Sequence, residues 1–366
     1  MATFPRNEIM SLTAVQPRHD LGESYGPDLH LADLLTPELE GLELGYGTAA
    51  GDLRLRTAIA DRHGVRPEDV VVTVGGMHGI FLLAYLLADA GREVVTTSPL
   101  FPITRNAFET VGSTVRLVPL TFDEGYRLTA SAVRAQLTPE TRLVSLATPQ
   151  NPSGVAVPLD VLREIVAAME EVCPEAYLMV DETYRTAAYG EEAVAETALV
   201  LGPRVVSVAS LSKCHGAAGL RIGWVISTDA SLVEQLTTAK FSTVVSASTV
   251  TEALALRVFE QEDRILGVRR LWLKENLSLT QDWVSENSSL VEWVRPDAGA
   301  LCVIRLKAPV ELERFRREAA AVGVRLADGD WFGDEARVFR LGFGFLPTAD
   351  LKAALDALRK AVDAAH

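Results

Sequence analysis

A succession of short apolar runs, each stopping abruptly at a polar or turn-forming residue, restricts what this chain can fold into more than any other feature. Residues 70–74 stop at Gly75-Gly76, 93–97 at Ser98-Pro99, and 143–147 at Thr148-Pro-Gln-Asn-Pro-Ser-Gly154. Residues 176–180 stop at Asp181, 204–209 at Ser210, and further runs cover 114–118 and 221–226. Near-continuous apolar runs of this kind are strands buried on both faces, and helical stretches such as 79–88 and 162–171 separate them. The expected fold class is therefore α/β, a mostly parallel sheet between helices. Ligands of such sheets bind at the carboxyl ends of the strands, where most of these polar residues fall.

At 366 residues the chain exceeds what one core usually holds. Residues 1–44, with Pro5, Pro17, Pro27 and Pro37, read as an arm that packs over something else and joins a smaller domain. A helix is expected after Gly51, and residues 45–285 form the large domain, closing with long helices over 231–241 and 249–287. Residues 286–366 form a smaller α+β domain with strands near 289–294, 300–306 and 338–343. Its last helix, 349–365, carries an apolar stripe at Leu351, Ala354, Leu355, Leu358 and Val362.

A net charge of -14 argues against nucleic acid or an anionic membrane as a partner. The three cysteines are too few and too scattered for a disulfide framework or a metal knuckle. No leader-like segment or spanning apolar run is present, so a cytoplasmic protein is expected.

Behind the run that ends at Ser210 lies Ser210-Leu-Ser-Lys-Cys-His-Gly-Ala-Ala-Gly-Leu-Arg221. A lysine that forms a Schiff base must be desolvated or set beside another cation to lose its proton at neutral pH. Hydroxyls and a forked guanidinium suit a phosphate. Lys213 supplies the first requirement, and Ser210, Ser212 and Arg221 the second. Pyridoxal phosphate carries both an aldehyde and a phosphate.

Taken in order, Tyr46-x-x-x-x-Gly51, Gly75-Gly76, Phe101, Asn151-Pro152-x-Gly154, Asp181-x-x-Tyr184, Ser210-x-Ser-Lys213, Arg221 and Arg340 resemble the fold-type-I pyridoxal-phosphate enzymes of the class I/II aminotransferase group. The resemblance implies Lys213 as the anchor and general base, and Asp181 as the partner of the pyridinium nitrogen. It implies Tyr184 and Asn151 at the phenolate oxygen, Phe101 stacked on the ring, and Gly76 and Met77 aiming backbone N–H groups at the phosphate. Arg340, with Asn151, would bind the substrate α-carboxylate. Tyr46 would reach the phosphate of a neighbouring subunit, which implies a homodimer with shared active sites.

The reaction expected on this scaffold starts from an amino acid bound as an external aldimine, and transamination is its commonest outcome. Residues 332–344 and Glu8-x-x-x-Leu12 are also similar to the subset that works on arginine derivatives, the capreomycidine synthase-like cyclases and oxidases. There the resemblance implies that Glu8 binds a guanidinium. Ser24 falls near a position that usually holds glycine against the substrate, and His215 replaces an aromatic, so the reaction is expected to be tuned at Ser24 and Cys214-His215. No counterpart of the second arginine used by dicarboxylate-specific members is present, which disfavours aspartate and glutamate as donors.

Overall fold

Alternation along the apolar runs sorts their side chains into layers in the computed structural model, which describes residues 3–14, 16–190, 194 and 196–366. Of the arm, residues 1, 2 and 15 lie outside the described residues. The arm starts with a 3-10 turn over Glu8–Thr13 and contributes β1 (His19–Asp20). Strands β2 (Val70–Val74), β3 (Glu93–Ser98), β4 (Thr114–Pro119), β5 (Thr141–Ala147), β6 (Tyr177–Asp181), β7 (Val205–Ser210) and β8 (Ile222–Ser227) then form one seven-stranded sheet. Its order is β2-β8-β7-β6-β5-β3-β4, parallel except that β8 runs against both its neighbours.

One face of the sheet carries Val71, Val94, Leu143, Met179, Val206 and Val225. These pack on Ile80 and Leu83 of helix Gly76–Leu87, Phe108 of Pro102–Thr110 and Leu236 of Ala230–Val244. On the other face Val70, Val72 and Trp224 meet Leu55, Ile59 and Leu254, while Val144, Leu178 and Val180 meet Leu162 and Ile165. Fully burying each such side chain contributes about 1.5–3 kcal/mol, which is why the runs need no polar face.

The smaller sheet is built from β9 (Val291–Val294), β10 (Leu301–Leu306), β12 (Ala327–Asp328) and β13 (Val338–Gly342), in the antiparallel order β12-β13-β10-β9. Helix Thr348–Ala365 covers its core through Leu351, Ala354, Leu355, Leu358 and Val362. Strand β11 (Val324–Arg325) pairs in parallel with β1, and Arg325 closes on the Asp20 carboxylate at 2.5 Å. The arm is thereby tied to the smaller domain.

Besides the short helix Ala130–Arg134 and the two-residue strands β1, β11 and β12, three elements differ from the sequence expectation. The stretch 249–287 is two helices, Thr249–Glu260 and Glu262–Glu286, because Gln261 leaves the helical region and its side chain donates to the Asp33 carbonyl at 3.2 Å. Helix Pro102–Thr110 starts right behind Phe101, and Leu312–Ala321 starts from a Glu311 N-cap; neither stood out in the apolar pattern.

The carboxyl ends of β2, β3, β5, β6 and β7 share one edge of the large sheet. Because β8 is antiparallel, its start lies at that same edge, with Gly223 opposite Ser210. A Cβ on Gly223 would sit 2.5 Å from the backbone N of Gly76, so only glycine lets the Arg221 strand approach the Gly75-Gly76 turn this closely.

Candidate active site

At this edge a cavity of about 340 Å³ opens. Three residues beyond the end of β7, Lys213 extends into it, and its Nζ donates to Ser24 Oγ at 3.0 Å while lying 5.0 Å from the centre of the Tyr25 ring. Burial is the largest influence on this amine, and the Arg340 and Arg221 charges add to it against Glu23 and Asp181, pushing it down to about 8. Its neutral, nucleophilic fraction at pH 7 then rises from under about one in a thousand to about one in ten. The local fold prepares the amine for attack on an aldehyde.

Asp181, the last residue of β6, lines the same cavity and accepts the Thr183 N–H at 3.0 Å. Burial raises its carboxyl above the usual range, against the Thr183 hydrogen bonds and the Lys213 charge. Tyr184 is buried three residues on, and burial pushes its hydroxyl upward as well.

Gly76 and Met77 open a 12-residue helix at the opposite wall, where unpaired N–H groups and the helix dipole favour an anion. Ser210, Ser212 and Arg221 line the cavity beside it. Arg221 takes a left-handed conformation at φ 53°, uncommon for a non-glycine residue. That conformation brings its guanidinium against Gly75, where a Cβ would stand only 2.5 Å from a guanidinium nitrogen.

Phe101 forms another wall and also packs on Ile9, Leu12 and Phe332, so the arm backs the cavity's aromatic side. Asn151, followed by a cis bond to Pro152, lines the cavity and accepts from Arg340 at 2.9 Å. Arg340 itself stands behind Asn151, 2% exposed, and also donates to the Gly22 carbonyl at 2.6 Å.

Several residues singled out in the sequence are elsewhere. Glu8 does not reach the cavity; its largely exposed carboxylate faces Arg6 at 3.5 Å, because the buried side of its 3-10 turn is taken by Ile9 and Leu12. Tyr46 is 90% exposed and far from contributing to this cavity. His215 and Cys214 line a separate cavity of about 540 Å³, where His215 pairs with Glu262 at 2.8 Å and Cys214 Sγ lies 3.0 Å from the Thr183 carbonyl. Neither side chain meets the Lys213 cavity.

Among the cavity residues that the sequence did not single out as site residues, which include Thr96, Thr97, Thr104, Ser145, Gln150 and Thr183, three come from the arm: Thr13, Glu23 and Tyr25. They lie on a proline-rich arm whose strand is two residues long, so no apolar run points to them. For Glu23 and Tyr25 the available signal was the polar, glycine-flanked stretch Gly22-Glu-Ser-Tyr-Gly26.

The described residues fit pyridoxal phosphate. An N–H-rich helix start, two hydroxyls and a guanidinium suit its phosphate; a depressed lysine suits its aldehyde; an enclosed carboxylate opposite suits its ring nitrogen.

Comparison with known proteins agrees. The family model described as aminotransferase class I and II matches residues 26–358. Capreomycidine synthase of Streptomyces vinaceus is 29% identical over 88% of this chain and 82% of its own. The arginine–pyruvate transaminase of Pseudomonas aeruginosa is 27% identical over 80% of this chain and 75% of its own. A solved PLP-dependent aminotransferase from Streptococcus suis superposes with a TM-score of 0.91 at 24% identity, covering 100% of this chain and 99% of that one. Such an enzyme takes pyridoxal phosphate as its cofactor, and the chain belongs to the class I and II aminotransferase family.

Proposed function

We propose that this enzyme acts on an amino acid with a guanidinium-type side chain, with transamination as its leading reaction. The observation that carries the reading is the depressed Lys213 amine held between a phosphate-suited wall and the enclosed Asp181 carboxylate. Pyridoxal phosphate bound there supplies an aldehyde and an electron-withdrawing ring that stabilises the charge left when an α-proton departs.

The chain's own residues do the rest. Gly76, Met77, Ser210, Ser212 and Arg221 would hold the phosphate, and Phe101 would offer its face to the ring. Asp181 keeps the ring nitrogen protonated, while Tyr184 and Asn151 hold the ring oxygen. Arg340 offers a guanidinium fork to the substrate α-carboxylate, exchanging its present bond to Asn151 for a charged partner. Lys213 Nζ would serve as the base that takes the substrate α-proton and as the acid that gives a proton back. Ser24 is the first acceptor of that amine and steadies it between transfers. Among the described residues the cations lining the cavity are Lys213 and Arg221, both already engaged, so a substrate side-chain carboxylate finds no free partner.

A second reading, cyclisation, elimination or oxidation of an arginine derivative, is favoured by the similarity to capreomycidine synthase. Incubating the cofactor-loaded enzyme with L-arginine, with and without pyruvate, separates the two. Keto acid formed only when pyruvate is present is the expected result; a product from arginine alone, or with oxygen uptake, would transfer the assignment to the second reading.

Residues 45–285 and 286–366 are proposed as the large and small domains, with 1–44 as the arm, and the cytoplasm as the compartment; among the described residues no helix is long and apolar enough to cross a membrane. A homodimer is proposed as well. Tyr46 is exposed, as are Leu44, Leu53, Phe241, Val244 and Val250, and the Gly47 N–H bond to Ser246 at 3.2 Å ties its segment to the chain just after the helix Ala230–Val244; these residues are proposed to form one apolar patch. A second copy would cover this patch and receive Tyr46 at its phosphate site. Mixing Tyr46→Ala with Lys213→Ala is expected to restore part of the activity that each lacks, and no restoration from two variants that each sediment as dimers would exclude a shared site.

A further inference from the structure

We infer that Glu23 is the residue that recognises the substrate's side-chain cation. The inference rests on the reading of this cavity as a pyridoxal-phosphate site. The other charged side chains lining the cavity have work assigned to them, Lys213 at the aldehyde, Arg221 at the phosphate and Asp181 at the ring nitrogen, while Tyr184 serves the ring oxygen and the Tyr25 ring lies against the Lys213 amine. Glu23 is left over. It is partly buried, and among the described residues no donor hydrogen-bonds its carboxylate and no cation pairs with it within 4.0 Å.

A half-buried carboxylate without a partner has lost part of its hydration, and a ligand that brings a cation makes up for that loss. Burial accordingly raises the Glu23 carboxyl above its usual range, opposed by the Lys213, Arg340 and Arg325 charges. Two of these opposing cations are committed once substrate binds, Lys213 to the cofactor and Arg340 to the α-carboxylate. A guanidinium at the far end of the substrate then becomes the natural partner of Glu23.

Geometry gives the carboxylate a fixed place. The backbone oxygen of Glu23 lies where a Cβ on Gly342 would come within 1.5 Å, so the arm segment that carries Glu23 is in direct contact with β13 and only glycine fits at 342. The Gly342 N–H donates to Leu21 O at 2.7 Å, and Arg340 donates to Gly22 O at 2.6 Å. Glu23 and Arg340 therefore sit on one rigid seam, one for each end of the same substrate. Glu8, on the outer side of the arm, has no such connection.

The test is a titration of the cofactor-loaded enzyme with L-arginine and with L-citrulline, its uncharged isostere, followed by the shift in cofactor absorbance and by calorimetry. Wild type is expected to bind arginine at least tenfold more tightly than citrulline. Glu23→Gln should bring the two within about twofold by weakening arginine, and Glu23→Asp should keep a clear preference. Glu8→Gln, the control, should leave the ratio at its wild-type value. Equal affinities in wild type, or an undiminished ratio in Glu23→Gln, would overturn the inference while leaving the cofactor site standing. A chain that takes up no pyridoxal phosphate would overturn the underlying reading and the inference together.

Discussion

Lys213→Ala is expected to abolish the visible absorbance of the cofactor-loaded chain and to lower turnover by about 10⁴-fold, because one amine serves both as the covalent anchor and as the proton carrier. Folding should survive, since the substitution removes a buried cation whose amine is already pushed down by burial. Lys213→Arg keeps a cation but cannot form the link, and should be equally inactive. The chain contains its own competitor for the role. Lys240 is fully buried, has no hydrogen-bond partner among the described residues, and is also pushed down to about 8, chiefly by burial. It lies outside the cavity, on the helix Ala230–Val244, near Glu252. A visible band that persists in Lys213→Ala and vanishes in Lys240→Ala would move the anchor there.

Asp181→Ala is expected to lower turnover by about 10²–10³-fold, the scale of losing one preorganised electrostatic partner in an enclosed site. The cofactor should remain attached, because its phosphate is held by the opposite wall, where Gly76, Ser210 and Arg221 are untouched. The direction of the carboxyl shift supports this role. With no cation opposite, burial raises it; a protonated ring nitrogen would draw it back down and share the proton across the pair. Asp181→Asn, which keeps the shape and loses the charge, should resemble the alanine variant in kcat, and Asp181→Glu should recover part of the loss. An Asp181→Asn enzyme with wild-type kcat would remove the electrostatic role.

Much of this site could be read from the sequence for one reason: apolar runs stop where the sheet ends. Asp181, Ser210 and Gly76 are each the residue at which a buried strand meets the site edge, or its neighbour, so their type and position were visible together. Arg221 was legible only through its distance from Lys213; that an antiparallel strand carries it to the same edge required the sheet order. Glu23 was hidden because it follows a strand only two residues long, and that strand gains its place from pairing with β11, more than three hundred residues away. Glu8 misled because its apolar neighbours Ile9 and Leu12 claim the inward side of the turn. His215 misled for a similar reason: being two residues from the anchor in sequence does not prevent a tight loop from turning its ring into the cavity behind the sheet, against Glu262.

The account turns on a covalent link at one lysine. Loading the wild-type chain with pyridoxal phosphate, reducing it with borohydride and mapping the peptides by mass tests that link directly. The expected result is a single stoichiometric cofactor adduct on the peptide that contains Lys213, absent from Lys213→Ala. An adduct at Lys240 or at any other lysine, or loading with no reducible link at all, would contradict it.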